Sequence, residues 1–210
     1  MLKGIFLLIL AVAPLTLASD TYTKTVSQSW DFVPGGSVEL HMPAGDLRVV
    51  PRNDSSISIS YTMRSNDPDF MAKVKPAFEV KGSAAVLRLA APHNGNVDIE
   101  LRVPSRTDLQ MRVFAGDINI GPIAGNQNVE THAGDITIGL RANDDYGAVD
   151  ASTHAGRVSA PFGKTKGWIG SSLKYDGPGK YRVHAHTFAG DVHLGEAQSA
   201  QVAGQDKREK

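Results

Sequence analysis

One short phrase recurs along this chain, and it restricts the possible folds more than any other feature of the sequence. Each copy is an alternating stretch, an Ala-Gly pair, a charged residue and a second alternating stretch. Four copies in the second half contain Gly116, Gly134, Gly156 and Gly190, and a weaker copy at residues 43–49 contains Gly45. Self-similarity of this kind is typical of one structural unit stacked on copies of itself. The chain is therefore predicted to be a stack of β units.

The side-chain pattern of each copy predicts two strands joined by a corner. Before the glycine, every second residue is small or apolar, and the residues between them are mostly polar. After the corner, the predicted inward residues are Ile118, Ile120, Ile136, Ile138, Val158, Val192 and Leu194. The step from Ala115 to Ile118 is odd, so the alternation of faces slips at the Gly-Asp pair. A glycine with positive φ explains the slip, since only glycine accepts that conformation at little cost.

The remaining chain adds more strands and one helix. Residues 37–42, 57–63 and 97–103 alternate with a period of two and are predicted strands. Asp67 as an N-cap, Pro68 as the first helical residue and Pro76 as a stop predict a short helix near 68–75.

The spacing of the corners indicates an irregular stack. Successive corner glycines are 71, 18, 22 and 34 residues apart. The longer intervals are expected to hold units without the motif, or an insertion such as residues 162–179. The predicted fold is all-β, with stacked short-strand repeats. The predicted architecture resembles a β-solenoid or β-prism and approaches a β-sandwich.

The two ends of the chain have different compositions from the repeats. Lys3, an apolar run at residues 5–17 and small residues up to Ala18 predict a signal peptide at 1–18. An uncleaved anchor is the alternative, although 13 residues fall short of the about 20 that span a bilayer. We expect a single β-repeat domain at 22–195, a disordered polar tail at 196–210, and a secreted or periplasmic location.

Composition excludes several function classes. The sequence has no cysteine, which rules out disulfides, thiolate metal sites and cysteine nucleophiles. Basic and acidic residues number 22 each, so no net field attracts nucleic acid. The expected partner is an envelope component or another protein, and the mature chain is expected to have no membrane span.

Several of these features together resemble a bacterial family known as putative adhesins, whose domain is built from toast-rack-like Gly-Asp β-repeats. The matching features are the Pro34-Gly35-Gly36 turn with the strand and Gly-Asp that follow it, the strand end at residues 101–104, and the Ala-Gly-Asp-Ile repeats. The resemblance covers residues 28–195. It implies a secreted or envelope-associated β-repeat fold, and it carries no catalytic residues over.

The residues two before each glycine form one predicted column, Phe114, His132, His154 and Phe188. If copies pair in sequence order, His132 and His154 lie about 5 Å apart and could bind a metal with Asp135 or Asp150. The alternative is a ladder of packed rings. Phenylalanine in half of the positions favours the ladder, and we expect no metal site and no cofactor.

A second column holds the charged residue after each glycine, namely Asp46, Asp117, Asp135, Arg157 and Asp191. Stacked carboxylates could bind calcium. Only one Asp occurs per copy, however, and Arg157 interrupts the row. We favour carboxylates that accept backbone hydrogen bonds at the corner, with Arg157 relieving repulsion between its neighbours.

Catalytic patterns are weak in this sequence. His184 and His186 lie on one face of a strand, with His193 nearby, yet no third or fourth zinc ligand stands out. No Gly-x-Ser-x-Gly elbow surrounds Ser171 or Ser172, and Asp144 and Asp145 are adjacent and point oppositely on a strand. We expect no enzyme and no catalytic residues.

Two functions remain for comparison. The first is a non-catalytic extracytoplasmic protein with an adhesin-like binding or structural role at the cell envelope. The second is a secreted polysaccharide-binding or polysaccharide-active β-solenoid. The second would require Trp168, Tyr175 and Tyr181 to share a groove with Asp144, Asp145 or Asp176.

Overall fold

The computed structural model describes residues 21–67, 69–92, 95–167 and 170–196, and strands dominate them. The predicted signal peptide and residues 197–210 of the predicted tail lie outside this part of the chain. The strands are β1 (Tyr22–Asp31), β2 (Ser37–Ala44), β3 (Leu47–Arg52), β4 (Ser56–Ser65), β5 (Lys75–Lys81), β6 (Ala84–Ala90), β7 (Asn96–Pro104), β8 (Asp108–Ala115), β9 (Ile118–Ile120), β10 (Gln127–Ala133), β11 (Ile136–Leu140), β12 (Tyr146–Ala155), β13 (Val158–Ser159), β14 (Ser171–Asp176), β15 (Tyr181–Ala189) and β16 (Val192–Glu196). The all-β prediction is confirmed.

These strands form two eight-stranded sheets. Sheet A has the order β1-β4-β7-β3-β9-β11-β16-β13, and sheet B the order β14-β12-β15-β10-β8-β2-β6-β5. The strands of the repeats pair in parallel, and antiparallel strands flank them at one end of sheet A and at both ends of sheet B. Each Gly-Asp corner carries the chain from sheet B to sheet A, and we call one such strand–corner–strand unit a rung.

The order of rungs in space differs from their order along the chain. The rung of Gly190 (β15 and β16) lies between those of Gly134 and Gly156, because β15 pairs with both β10 and β12. At the other end, β2 pairs with β6 and β8, so the first rung lies between two later ones. The long sequence intervals are thereby explained. One holds the motif-free rung β6–β7, and the other holds the edge strand β14, within residues 162–179.

The core lies between the sheets and contains the residues that alternation assigned to it. All seven predicted inward residues, from Ile118 to Leu194, are buried in one cluster. The alternate residues before each corner, such as Met111, Val129 and Val183, belong to the same cluster. The stacked-core prediction is confirmed.

The corner glycines have the predicted backbone conformation. Their φ angles are +114° at Gly45, +137° at Gly116 and Gly134, +150° at Gly156 and +143° at Gly190. The corners also touch. A Cβ on Gly134 would lie 2.1 Å from the carbonyl oxygen of Gly116, and one on Gly190 equally close to Gly134. Glycine is therefore required at the corner both by φ and by the close approach of neighbouring backbones.

The predicted helix is present but shorter than expected. Helix α1 spans Phe70–Lys73 and buries Phe70. Pro76 does not act as a stop after a longer helix, because the chain has already entered β5 at Lys75. A proline is tolerated there because β5 is an edge strand.

A 3-10 turn, Asn143–Asp145, precedes β12. Among the described residues, neither helical segment has the length and apolar content needed to cross a bilayer.

Candidate functional site

The Asp column is a ladder of hydrogen bonds between rungs. The Oδ1 atom of Asp46 accepts the backbone N–H of Asp117 at 3.1 Å, Asp117 accepts that of Asp135 at 2.8 Å, and Asp135 accepts that of Asp191 at 2.7 Å. Asp191 accepts the N–H of Arg157 at 2.8 Å. The predicted role of the carboxylates as backbone acceptors is confirmed, although each bond reaches the next rung rather than its own corner.

Arg157 stands at the end of this ladder. The sequence order suggested that it separates two carboxylates, and that interpretation is wrong because the rung of Gly156 is the last of the stack. No further rung presents an N–H to accept, so an aspartate is not needed there. Asp98 of β7 begins the ladder at the other end, where it accepts the N–H of Asp46 at 3.2 Å and pairs with Arg64.

A column of buried threonine hydroxyls supports the corners from the inside. Thr187 donates to the carbonyl of Gly134 at 3.0 Å, and Thr153 donates to that of Gly190 at 2.8 Å. Thr131 makes a longer contact of 3.5 Å with the carbonyl of Gly116. Sequence analysis placed these residues inward but did not foresee their hydrogen bonds.

The ring column is a continuous stack on the outer face of sheet B. Its order is Phe114, His132, Phe188 and His154, with ring centroids 5.0, 5.0 and 4.9 Å apart and planes within 11° of parallel. Phe188 lies between the two histidines, so the predicted contact between His132 and His154 does not exist. The structure therefore has the ladder of packed rings. His132 and His154 are not neighbours and do not form a metal site together, because the rungs are not stacked in the order of the chain.

The rings present their edges to solvent. Each inner ring has both faces covered by its neighbours, and Phe114 and Phe188 remain 61% and 44% exposed. Two exposed phenylalanines separated by a single rung are unusual on a surface, where large apolar residues are normally scattered. This stripe marks the outer face of sheet B as the candidate functional surface.

Beside the stripe the outer face of sheet B forms an open groove of about 880 Å³. It crosses strands β5, β6, β2, β8, β10 and β15. The side chains that reach it include Lys75, Arg88, His41, Arg112, Phe114, Glu130, His132, His186 and Phe188. A second depression of about 900 Å³ adjoins it and includes Glu39, Asp150 and His184.

Ion pairs occupy most of the carboxylates on this face. Glu39 contacts Arg88 at 3.1 Å and His41 at 2.8 Å. Arg112 approaches Glu130 to 3.4 Å, and Lys174 approaches Asp150 to 3.4 Å. In the first groove the cations Lys75, Arg88 and Arg112 outnumber the one carboxylate, Glu130.

Side chains with shifted pKa values lie away from this face. Burial raises the pKa of Tyr61 and of Tyr146, and the hydroxyl of Tyr146 accepts the N–H of Arg141 at 3.1 Å. A hydrogen bond from Ser56 lowers the pKa of Asp54 in an exposed turn. These groups belong to the core and to a turn, and none of them lies against the groove.

The histidines proposed as metal ligands are separated by the fold. His184 and His186 share the outer face of sheet B, and Ser152 makes a 3.0 Å hydrogen bond with Nδ1 of His186. His193 lies on sheet A, where it contacts Ser159 at 2.7 Å. Within the described residues no three His, Asp or Glu side chains are placed to share an ion.

The residues that a polysaccharide site would have used do not share a groove. Tyr175 is half-buried, 4.4 Å from Phe162 between ring centroids, and Tyr181 lies under the ammonium of Lys180. Asp145 pairs with Arg141 beside the 3-10 turn. Trp168 lies outside the described residues.

Comparison with known proteins gives a match in fold. No family model and no curated protein matches the sequence. A "putative cell adhesion protein" from Clostridium sporogenes is similar to this chain with a TM-score of 0.50 and 15% identity, over 82% of this chain and 100% of that one. The two proteins share a fold. Solved "putative adhesins" from Parabacteroides distasonis and Bacteroides fragilis also match, at 11% and 10% identity and a TM-score of 0.25, over 81% of this chain and 97% of each of theirs. The resemblance to this family, drawn from the repeats, is confirmed at the level of fold.

Sequence reasoning missed the groove. Its residues are the outward members of alternating strands, which the pattern identifies individually as solvent-facing. Parallel pairing then brings together residues as distant as His41 and His186, and no local signal encodes that pairing. The one available hint was the pair of phenylalanines at outward positions, Phe114 and Phe188, where alternation predicts polar residues.

Proposed function

We propose that this chain is a non-catalytic, adhesin-like binding protein that works outside the cytoplasm at the cell envelope. The outer face of sheet B is its binding surface. The observation that carries this proposal is the stripe of exposed ring edges along a groove that crosses six strands. An apolar stripe rimmed by charged groups is the kind of surface that proteins use for interaction.

Three further points support the proposal. The predicted signal peptide would direct the chain to the envelope. The Clostridium protein of the same fold bears the name "putative cell adhesion protein". On the outer face of sheet A, by contrast, Ser27 pairs with Ser60 and Thr25 pairs with Thr62 across β1 and β4.

The test measures binding of the purified protein to isolated bacterial envelope by co-sedimentation. A Phe114→Ser/Phe188→Ser variant is compared with the wild type, and Thr25→Val/Thr62→Val on sheet A serves as the matched control. We expect the wild type and the control to sediment with the envelope and the phenylalanine variant to remain in solution. Equal binding by all three would overturn the assignment of this face, provided that melting temperatures confirm folding.

A further inference from the structure

Histidines are concentrated on the outer face of sheet B. The sequence has seven, and five of them, His41, His132, His154, His184 and His186, lie on this face. These histidines lie in three rows of outward side chains that run across the strands of sheet B. The rows also contain four basic residues, Lys75, Arg88, Arg112 and Lys174, and four acidic ones, Glu39, Glu79, Glu130 and Asp150. The fixed charges of these three rows cancel, so the protonation of histidine sets the net charge of the rows.

The surroundings of three histidines include charged groups. His41 faces its own Glu39, Arg88 on β6 and Arg112 on β8. His186 lies between Glu130 on β10 and Ser152 on β12. His184 lies between Asn128 on β10 and Asp150 on β12, with Lys174 beyond it.

The other two histidines have rings as their neighbours. His132 stacks between Phe114 and Phe188, and Glu130 precedes it on the same face of β10. His154 stacks on Phe188 and follows Ser152, and its backbone carbonyl lies close to Gly170. Histidine is the residue type whose charge ordinarily changes between about pH 5 and pH 8.

The ring stack favours an anion over a neutral sugar ring. Neutral sugars pack on ring faces, and the faces of His132 and Phe188 are already covered by their neighbours. The exposed edge of an aromatic ring carries partial positive charge. Oxygen atoms with negative charge are therefore the groups that suit the exposed side of the stack.

The shape of the groove favours an extended ligand. It crosses six neighbouring strands, and strands lie about 4.8 Å apart, which gives a length of about 24 Å. Arg88, Arg112 and Lys75 are spread along it, while the imidazole groups between them can bond to ligand hydroxyls. A polymer with regularly spaced anions and hydroxyl groups matches this arrangement.

We infer that the groove binds an acidic polysaccharide through its carboxylates, and that binding tightens as the pH falls and the histidines of the face become protonated. This inference rests on the proposed binding role of the face and names its ligand class. Uronate carboxylates resemble ordinary carboxylic acids, which stay ionised above about pH 5. The pH response therefore comes from the protein.

The experiment measures the affinity of the purified protein for fluorescent polygalacturonate by anisotropy, at about pH 5.5 and about pH 7.5 and constant ionic strength. We expect the wild type to bind about tenfold more tightly at the lower pH, because three or more new positive charges face the polymer. His41→Gln/His132→Gln/His186→Gln removes the three histidines that line the groove and should lose most of the pH response. Arg88→Gln/Arg112→Gln should weaken binding at both, and Arg48→Gln, on the outer face of sheet A, should behave as the wild type.

Each contrary outcome has a defined meaning. A pH response of wild-type size in the histidine variant, or equal binding of uncharged dextran, overturns the inference. Absence of polygalacturonate binding also overturns it. If the Phe114→Ser/Phe188→Ser variant nevertheless loses envelope binding, the proposed function stands and only the ligand class is wrong. Melting temperatures of every variant exclude unfolding as the cause.

Discussion

The corner glycines and the rings that precede them are two columns of the same repeat with opposite physical demands. At the glycine column, backbone meets backbone, and every member is glycine from Gly45 to Gly190. At the ring column, two residues earlier, side chains leave the sheet and both Phe and His occur. The residue type is therefore constant among the copies of the repeat where backbones are in close contact. It varies where the side chain leaves the sheet and remains free for binding.

The largest effect is expected at the glycine column. Gly134→Ala should lower the free energy of unfolding by about 3 kcal/mol or more, through a strained φ and a Cβ 2.1 Å from the Gly116 carbonyl. Gly82→Ala is the matched control, because φ is also positive there and nothing lies within 4 Å of the new Cβ. We expect the control to cost about 1 kcal/mol in urea unfolding. Similar losses at both positions would show that contact between corners is unimportant.

A smaller effect is expected at the Asp column, directly beside the glycines. Asp135→Ala should cost about 1 kcal/mol, because the N–H of Asp191 loses its acceptor at 2.7 Å. Asp135→Asn keeps an acceptor oxygen and should cost less. Arg157→Ala should change stability by less than about 0.5 kcal/mol, because no rung follows it. Thermal unfolding measures all three, and equal losses at positions 135 and 157 would contradict the ladder.

The effect at the ring column should be smaller still on stability. Phe188→His should leave the melting temperature nearly unchanged, because histidine already occupies the positions on both sides of Phe188. Phe188→Ser should cost about 1 kcal/mol, because it removes two stacked contacts worth about 0.5 kcal/mol each at the low end of the usual range. A loss as large as that of Gly134→Ala would mean that the ring column is required for folding, and the contrast between the columns would disappear.

The two columns also differ in how far the sequence predicts them. The slip from Ala115 to Ile118 predicts positive φ at the glycine, since glycine is the residue that accepts this conformation at little cost. The neighbours of a given ring cannot be predicted in this way. Parallel pairing joins distant segments without a local turn signal, so the insertion of β15 between β10 and β12 escapes the sequence. The misplacement of His154 and of Arg157 has this single cause.

The smallest effect is expected from removal of metal. If the ring column were a structural metal site, its histidines would be as necessary as the corner glycines, and chelation would unfold the chain. Phe188 separates His132 from His154, and the ring planes stack within 9° instead of converging on an ion. We therefore expect excess EDTA to leave the melting temperature unchanged. Stoichiometric zinc or calcium in native mass spectra, lost together with the fold on chelation, would refute this expectation and make His184 and His186 the first residues to test by substitution.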